Sequence, residues 1–350
     1  MKAAVLFRPG DVRLQDIEMP RPGVGDVLIR VKACGVCGTD NALYTGEYPA
    51  NYPVVIGHEF AGEVVETGEG ATKFQPGDRV TVDPNKVCHA CAYCQSGHEH
   101  LCENLRSMGV HINGANAEYC VMPETNIYPL PASLTYEEAA FCEPLACAIH
   151  GVDLAQVHVG DTVLIIGAGG MGNLITQCMT HAGAARVVVS EPIARRRDTA
   201  RENGATHLID PLTQDVRQEI TQIKRIGADV VFEAAGNPAT QQSCLNWVRK
   251  GGTVVWFGCS PQETLIEVNP FIINEHEVKI SGSFNNQFAT ARAVEMLGSR
   301  KVRVDNLISH RIPLTDYLDV FRLFGGEETL KLMVTMDSYE PIPNESEGRH

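Results

Sequence analysis

Four cysteines stand close together in the stretch "PNKVCHACAYCQSGHEHLCENL" at residues 84–105. Two residues separate the first from the second and the second from the third, and seven separate the third from the fourth. Disulfides between such near neighbours would strain the backbone, whereas four thiolates at this spacing can surround one tetrahedral Zn²⁺. The spacing predicts a closed structural zinc site with the ligands Cys88, Cys91, Cys94 and Cys102. Three histidines of the same stretch could compete as ligands but are expected on its surface: His89, His98 and His100.

The bulk composition sets limits on the class of protein. The chain has 350 residues, of which 44% are apolar and 21% charged, and its formal net charge is −14. This length predicts two domains, and the negative charge argues against nucleic acid or an anionic membrane as partner. No apolar run approaches the roughly 18 residues of a membrane span, and the N-terminus lacks a signal-peptide pattern. We expect a cytoplasmic protein, where reduced thiols favour metal binding.

A glycine motif follows the apolar run "TVLII". Gly167, Gly169 and Gly172 form G-x-G-x-x-G, with Gly170 and Met171 inside the turn. A strand before the motif, a helix after it and an acid at the end of the next strand are typical of a dinucleotide site. The N–H groups that are free at the start of such a helix bind the pyrophosphate.

Glu191 is the acid at the end of that next strand, nineteen residues beyond Gly172. A carboxylate there can accept both hydroxyls of the adenosine ribose and would repel a 2′-phosphate, so NAD is favoured over NADP. Three arginines follow at 195–197, and one of them, with Arg196 as our candidate cofactor contact, could instead meet a 2′-phosphate. They could equally be solvated charges that open the next helix.

The pattern of the chain changes near residue 150. Before it, short strand-like runs alternate with Gly- and Pro-containing turns, which predicts a β domain. From 151 to 285, strands alternate with helices, which predicts a parallel doubly wound sheet. The remainder holds a helix, strand-like pieces, another helix and a last strand. The polar tail 337–350 is expected to be mobile.

Four more potential metal ligands are scattered over the first domain. Cys37 lies in "CGVCGTD", His58 and Glu59 lie in "GHEFAGEVVETG", and Glu143 lies in "FCEPLACAIHG". Three protein ligands and one open position are what a catalytic zinc needs. Isolated residues of these types are more often ordinary buried side chains, so their types alone leave a second site open.

Three of these stretches together resemble the zinc-dependent medium-chain dehydrogenase/reductase superfamily. "GHEFAGEVVETG", the four-cysteine stretch and "VLIIGAGGMG" occur in the family's order, and the similarity covers nearly the whole chain. The resemblance implies an α/β fold with two domains. A GroES-like β domain at 1–150 and 286–350 would carry a catalytic and a structural zinc, and a Rossmann domain at 151–285 would bind NAD.

The resemblance also implies the ligands of the catalytic zinc. Cys37 and His58 match two of them, and Glu59 matches an acid that is a direct ligand in polyol-type members and exchangeable in others. The setting of Glu143 is similar to the "EPL" stretch of sorbitol, threonine and butanediol dehydrogenases, where the glutamate binds zinc directly or through water. Cys142 is the adjacent competitor.

Proton transfer is the point at which the chain departs from the family. Thr39 matches the hydroxyl that takes the proton of the substrate. The family often has a histidine five residues after the first zinc cysteine, but this position is Ala42, so no imidazole relay can start there. Tyr44 is a candidate substitute and a candidate residue of the substrate pocket.

The implied function is an NAD-dependent zinc oxidoreductase that moves a hydride from a secondary alcohol of a sugar alcohol to NAD and gives a ketose. Two zinc ions per chain, a small-molecule substrate and a homo-oligomer, tetramer or dimer, belong to this prediction. The alternatives are a 2,3-butanediol or an L-threonine dehydrogenase. A non-enzymatic nucleotide-binding relative would have lost the catalytic ligands, and a zinc-free reductase would lack the four cysteines.

Overall fold

The computed structural model describes residues 1–336, so the tail that we expect to be mobile lies outside the described residues. Within them the strands are β1 Lys2–Arg8, β2 Asp11–Asp16, β3 Asp26–Gly35, β4 Val54–Val55, β5 Glu59–Thr67, β6 Arg79–Val82, β7 Asn85–Lys86, β8 Arg106–Ser107, β9 Tyr119–Pro123, β10 Ile127–Pro129, β11 Thr162–Ile166, β12 Arg186–Ser190, β13 His207–Ile209, β14 Ala228–Glu233, β15 Val248–Trp256, β16 Lys279–Gly282, β17 Ile308–Pro313 and β18 Lys331–Thr335. The helices are α1 Gly38–Thr45, α2 Ala92–Gln95, α3 Tyr136–Ala139, α4 Cys142–Ala155, α5 Gly170–Ala182, α6 Ala194–Glu202, α7 Val216–Ile223, α8 Pro238–Trp247, α9 Pro270–His276, α10 Thr290–Gly298 and α11 Asp319–Leu323.

The first half of the chain forms β-sheets around β3. Among the described residues, the larger sheet has the order β10-β6-β5-β3-β18-β17, with β9 also paired to β3. β3 is buried along most of its length because sheet neighbours and core residues cover both of its faces. The C-terminal strand β18 pairs antiparallel with the end of β3, where Val334 faces Cys34. Residues from the two ends of the chain therefore meet at the end of β3.

The second half forms a parallel sheet with the order β13-β12-β11-β14-β15-β16. Strand order reverses on either side of β11, and ligands of doubly wound sheets bind in the crevice at such a reversal. Strands β11 and β14 are buried throughout and rich in Val and Ile, as strands covered on both faces are. The predicted α/β class, with a β-sheet part and a part built on a doubly wound parallel sheet, is confirmed.

Helix α4 joins the two halves. It contributes Leu145 and Ile149 to the same apolar cluster as Ile165 and Phe232 of the parallel sheet. Helix α10, which follows residue 285, shares this cluster, and the chain returns to the first sheet at β17. The domain limits at residues 150 and 285 stay a prediction.

Candidate active site

A cluster of three donors lies beyond the end of β3. The sulfur of Cys37, a ring nitrogen of His58 and a carboxylate oxygen of Glu59 lie within 4.8 Å of one another. Cys37 is the N-cap of α1, and Glu59 is the first residue of β5, opposite Gly35 in β3. A Cβ on Gly35 would stand 2.4 Å from Glu59 Oε2, so glycine leaves the space for this carboxylate. The β3–β5 register thus assembles donors that are about twenty residues apart.

The donor chemistry of this cluster fits a zinc ion. Thiolate, imidazole and carboxylate are its usual ligands. Burial of His58 disfavours its charged form, but the hydrogen bond and charge of Cys37 and the charge of Asp40 raise its pKa well above the usual range. A cation bound among these donors would be stabilised by the same negative charges that raise the pKa of His58.

Glu143 opens α4 and is buried, but it does not lie within 4.8 Å of all three donors. It shares their space, since the charges of His58 and Glu59 act on it. Burial raises the pKa of Glu143 to about 7, and the charge of Glu59 acts in the same direction. Its Oε1 accepts a hydrogen bond from Cys147 Sγ one helical turn further on, at 3.5 Å. Both glutamates were candidate ligands from the sequence, and Glu59 is the one that lies in the compact cluster.

Lys331 is a functional candidate that sequence analysis missed. Its Nζ lies 2.6 Å from Glu59 Oε2 and 3.1 Å from the carbonyl oxygen of Val36, and both charged side chains are buried. Although burial disfavours the ammonium ion, the charges of Glu59 and Cys37 raise the pKa of Lys331. The available signal was a lysine at the start of the mainly apolar strand "KLMVT".

Asp40, three residues after Cys37, was also missed. It is fully buried, its Oδ2 accepts the N–H of Cys37 at 2.8 Å, and its Oδ1 accepts the N–H of Gly57 at 3.1 Å. His58 Nδ1, which is buried without a hydrogen-bond partner, lies 4.0 Å from Asp40 Oδ1. One carboxylate therefore ties the two backbone segments that carry Cys37 and His58.

Replacing Asp40 should loosen this arrangement. We expect Asp40→Ala to weaken metal binding at the cluster roughly 10–100-fold, as loss of outer partners of metal ligands typically does. Competition with a chelator of known zinc affinity would measure the loss. Asp40→Asn, which keeps an acceptor, should lose less, and unchanged retention of the metal in both variants would contradict this role.

Thr39 and Tyr44 lie on α1. Thr39 Oγ1 is 3.6 Å from Cys37 Sγ, beside the donor cluster. The Tyr44 ring stacks on Phe321, with ring centroids 3.8 Å apart and planes at 16°. This contact holds Tyr44 against α11, and its role in the substrate pocket stays a prediction.

The four cysteines of the 84–105 stretch come together as a second cluster, with all four sulfurs within 4.8 Å of one another. Three sulfur–sulfur distances are 3.5 Å, 3.9 Å and 3.5 Å. Tetrahedral zinc with Zn–S bonds of about 2.3 Å needs edges of about 3.8 Å. The backbone N–H groups of Ala90 and Cys91 lower the pKa of the Cys88 thiol to about 6. The three distances are close to the edges of a tetrahedral zinc site.

The three histidines near these cysteines have other partners. His89 and His98 are exposed, as expected, and contact Glu99 and Ser96. The surface position expected for His100 was wrong. Its ring is buried against His150 of α4, with centroids 4.9 Å apart, because the cysteine segment packs on that helix.

The glycine motif forms the turn between β11 and α5. Gly167 has a φ of +96°, and a Cβ on Gly172 would stand 2.0 Å from the carbonyl oxygen of Gly167, so both positions need glycine. Gly170 begins α5, and Met171 packs against the core beneath it. A Cβ on Gly170 would lie 3.1 Å from the carbonyl oxygen of Leu330, so this turn adjoins the start of β18.

The adenosine end of the site holds Glu191 and the three arginines. Glu191 is buried, and its two oxygens accept the N–H groups of Ala168 at 2.7 Å and Ile193 at 3.0 Å. All three arginines pair within the chain rather than lying free in solvent. Their partners are Glu328 for Arg195, the carbonyl oxygens of Gly326 and Thr329 for Arg196, and Asp210 for Arg197.

Two connected parts, one with a buried donor cluster and one with a glycine turn for a dinucleotide, define a metal-dependent oxidoreductase. Residues 23–132 match the alcohol dehydrogenase GroES-like domain, and residues 170–298 match the zinc-binding dehydrogenase family. The chain belongs to the zinc-binding, medium-chain dehydrogenases. The predicted cofactors, zinc and a nicotinamide dinucleotide, are confirmed at the level of this family.

Similar proteins span almost the whole chain. D-arabinitol dehydrogenase 1 of Uromyces fabae is 34% identical over 95% of this chain and 97% of its own. The L-threonine 3-dehydrogenase of Pyrococcus horikoshii is 36% identical, with coverage of 95% and 98%. A zinc-binding dehydrogenase of Sinorhizobium meliloti, solved with NADP, is 40% identical, with a TM-score of 0.93 and coverage of 95% and 98%.

Among residues 1–336, no helix combines the length and apolarity that crossing a membrane requires.

Proposed function

We propose that this protein oxidises a secondary hydroxyl of a polyol to a ketone, with NAD as hydride acceptor. The observation that carries the proposal is a buried donor cluster of Cys37, His58 and Glu59 with a second carboxylate, Glu143, in the same space. Zinc bound there would supply a Lewis acid that polarises an alcohol oxygen. The hydride chemistry itself belongs to the nicotinamide.

The side chains around the cluster have distinct proposed roles. Cys37 and His58 bind the metal, and Glu59 or Glu143 completes the set. Thr39, beside the Cys37 sulfur, accepts the proton of the substrate hydroxyl. Since position 42 is alanine, the proton leaves by water or through Glu59 and not by an imidazole.

A polyol is favoured over a simple alcohol because the site holds two buried carboxylates. The one that is not bound to the metal can accept a hydrogen bond from a second hydroxyl of the substrate. The similarity to D-arabinitol dehydrogenase 1 supports the same class.

The decisive test is NADH formation by zinc-replete protein with a panel of alcohols. The panel holds arabitol, sorbitol, xylitol, 2,3-butanediol, L-threonine and 2-propanol, each with NAD⁺ and NADP⁺. We expect turnover of a polyol with NAD⁺, and its loss in Cys37→Ala. The proposal would be contradicted if no polyol reacted although the metal was bound.

L-Threonine is the second candidate, supported by a 36% identical relative. This substrate brings an ammonium and a carboxylate, and the buried glutamates could meet only the ammonium. Threonine turnover that exceeds polyol turnover in the same panel would favour it.

For the cofactor, we propose that Glu191 disfavours the 2′-phosphate of NADP, since its carboxylate holds the glycine turn and the nearby arginines are paired elsewhere. In Glu191→Gln, which can still accept one N–H, the ratio of kcat/KM for NADP⁺ to that for NAD⁺ should rise roughly tenfold, or about 1.4 kcal/mol. Initial rates at varied cofactor concentration would measure it. Asp198→Asn, at an exposed acid of α6, is the control, and an unchanged ratio in Glu191→Gln would contradict the role.

We also propose that Cys88, Cys91, Cys94 and Cys102 bind a structural zinc and that the protein works in the cytoplasm, where thiols stay reduced.

The proposed homo-oligomer is a dimer or tetramer, and its interface would form at the edge strand β16. Within the described residues this edge strand has a neighbour on one side only. Exposed apolar side chains lie near it in the sequence: Leu265, Phe271, Phe284 and Phe288. Such an edge with apolar residues is typical of an interface.

A further inference from the structure

Cys147 has no part in the reaction proposed above, yet it contacts the donor site. It lies four residues after Glu143 on α4, so both side chains lie on one face of the helix. Its thiol donates to Glu143 Oε1 at 3.5 Å. The charge of Cys37 also acts on Cys147, which places the thiol near the donor cluster.

The two carboxylates of the site are held in different ways. Glu59 lies in the compact cluster, where Lys331 Nζ contacts it at 2.6 Å. Glu143 stands further from the cluster, where Cys147 contacts it. Two carboxylates in one buried space repel each other when both are ionised. A side chain that hydrogen-bonds one of them away from the donors therefore determines which carboxylate occupies the cluster.

We propose that Cys147 is a positioning residue that keeps the Glu143 carboxylate withdrawn from Cys37, His58 and Glu59, so that a coordination position stays open for the substrate hydroxyl. This inference rests on the proposed function, because it assumes a metal at the cluster. A thiol is a weak hydrogen-bond donor, so the hydrogen bond that positions Glu143 can break and re-form. No bond is made or broken in this role.

The test removes the donor and follows the metal directly. In Cys147→Ala, Glu143 is free to reach the metal. Release of zinc from the catalytic site to a chelator should slow three- to tenfold, and the visible spectrum of the cobalt-substituted protein should change. KM for the polyol should rise three- to tenfold while kcat changes less. Cys147→Ser, which restores a donor, should return these values toward those of the wild type.

A double variant separates positioning from a structural effect. In a Glu143→Gln background, Cys147→Ala should leave zinc release and the cobalt spectrum unchanged, since no carboxylate remains to be held. The matched control is Cys244→Ala, whose thiol likewise bonds a residue four positions earlier, on α8. It should behave as wild type. Should Cys147→Ala not fold, Cys147→Val fills the space without a donor.

Two results would overturn the proposal. One is wild-type zinc release and spectrum in Cys147→Ala. The other is the same shift with and without Glu143. The metal readouts need no substrate, so failure of the polyol assignment is seen separately: the wild type would then turn over no polyol while the coupling between Cys147 and Glu143 persists.

Discussion

Lys331→Met should lower the free energy of unfolding by about 3–5 kcal/mol, the usual cost of removing one partner of a buried ion pair. The Lys331 ammonium is buried between Glu59 and the carbonyl oxygen of Val36. Without it, the Glu59 carboxylate must stay in a dry site with one fewer partner, or take up a proton. Activity should fall as well, because Glu59 belongs to the donor cluster.

Urea denaturation of the metal-free protein, followed by circular dichroism, would measure this loss. Lys250→Met, at an exposed lysine, is the matched control and should change stability little. In the double variant Lys331→Met with Glu59→Gln, much of the stability should return, because no uncompensated charge is left. A loss below about 1 kcal/mol in Lys331→Met would show that water reaches the pair.

Cys102→Ser should remove one of the two proposed zinc ions and unfold the segment around residues 84–105. Apart from the metal, the segment has little regular structure to stabilise it. Its regular structure is one turn of helix at Ala92–Gln95, a short 3-10 helix at Glu99–Leu101 and two-residue strands. Structural zinc sites of this size bind with apparent free energies of about 10–16 kcal/mol in peptides, and this is folding energy.

Loss of the zinc should also destabilise the elements that pack against the segment. His100 packs against His150 on α4, the helix that carries Glu143, and the Gln287 side chain donates to the carbonyl oxygen of Gly97. Activity and thermal stability should therefore fall together.

Zinc analysis of the purified variant, with a thermal melt, checks this. Cys178→Ser, at a buried thiol in α5, should keep the full zinc content. Full zinc content in Cys102→Ser would refute the site.

Local patterns of the sequence determined much of the architecture. The run "TVLII" is β11 to the residue, and "DVLIRVKACG" is β3. The glycine turn and the four-cysteine cluster were readable for the same reason. Their members lie close together in the sequence, so they are necessarily close together in the folded structure.

Only the tertiary structure decided the surroundings of the donors. Glu59, and not Glu143, lies in the compact cluster with Cys37 and His58, since the β3–β5 register and Gly35 make room for it. Lys331 reaches Glu59 across 272 positions of sequence, because β18 returns to pair with β3. The spacing of residues in the sequence does not predict contacts that depend on strand register or on the return of a distant strand to the sheet. These contacts determine the charge and the free volume around each donor.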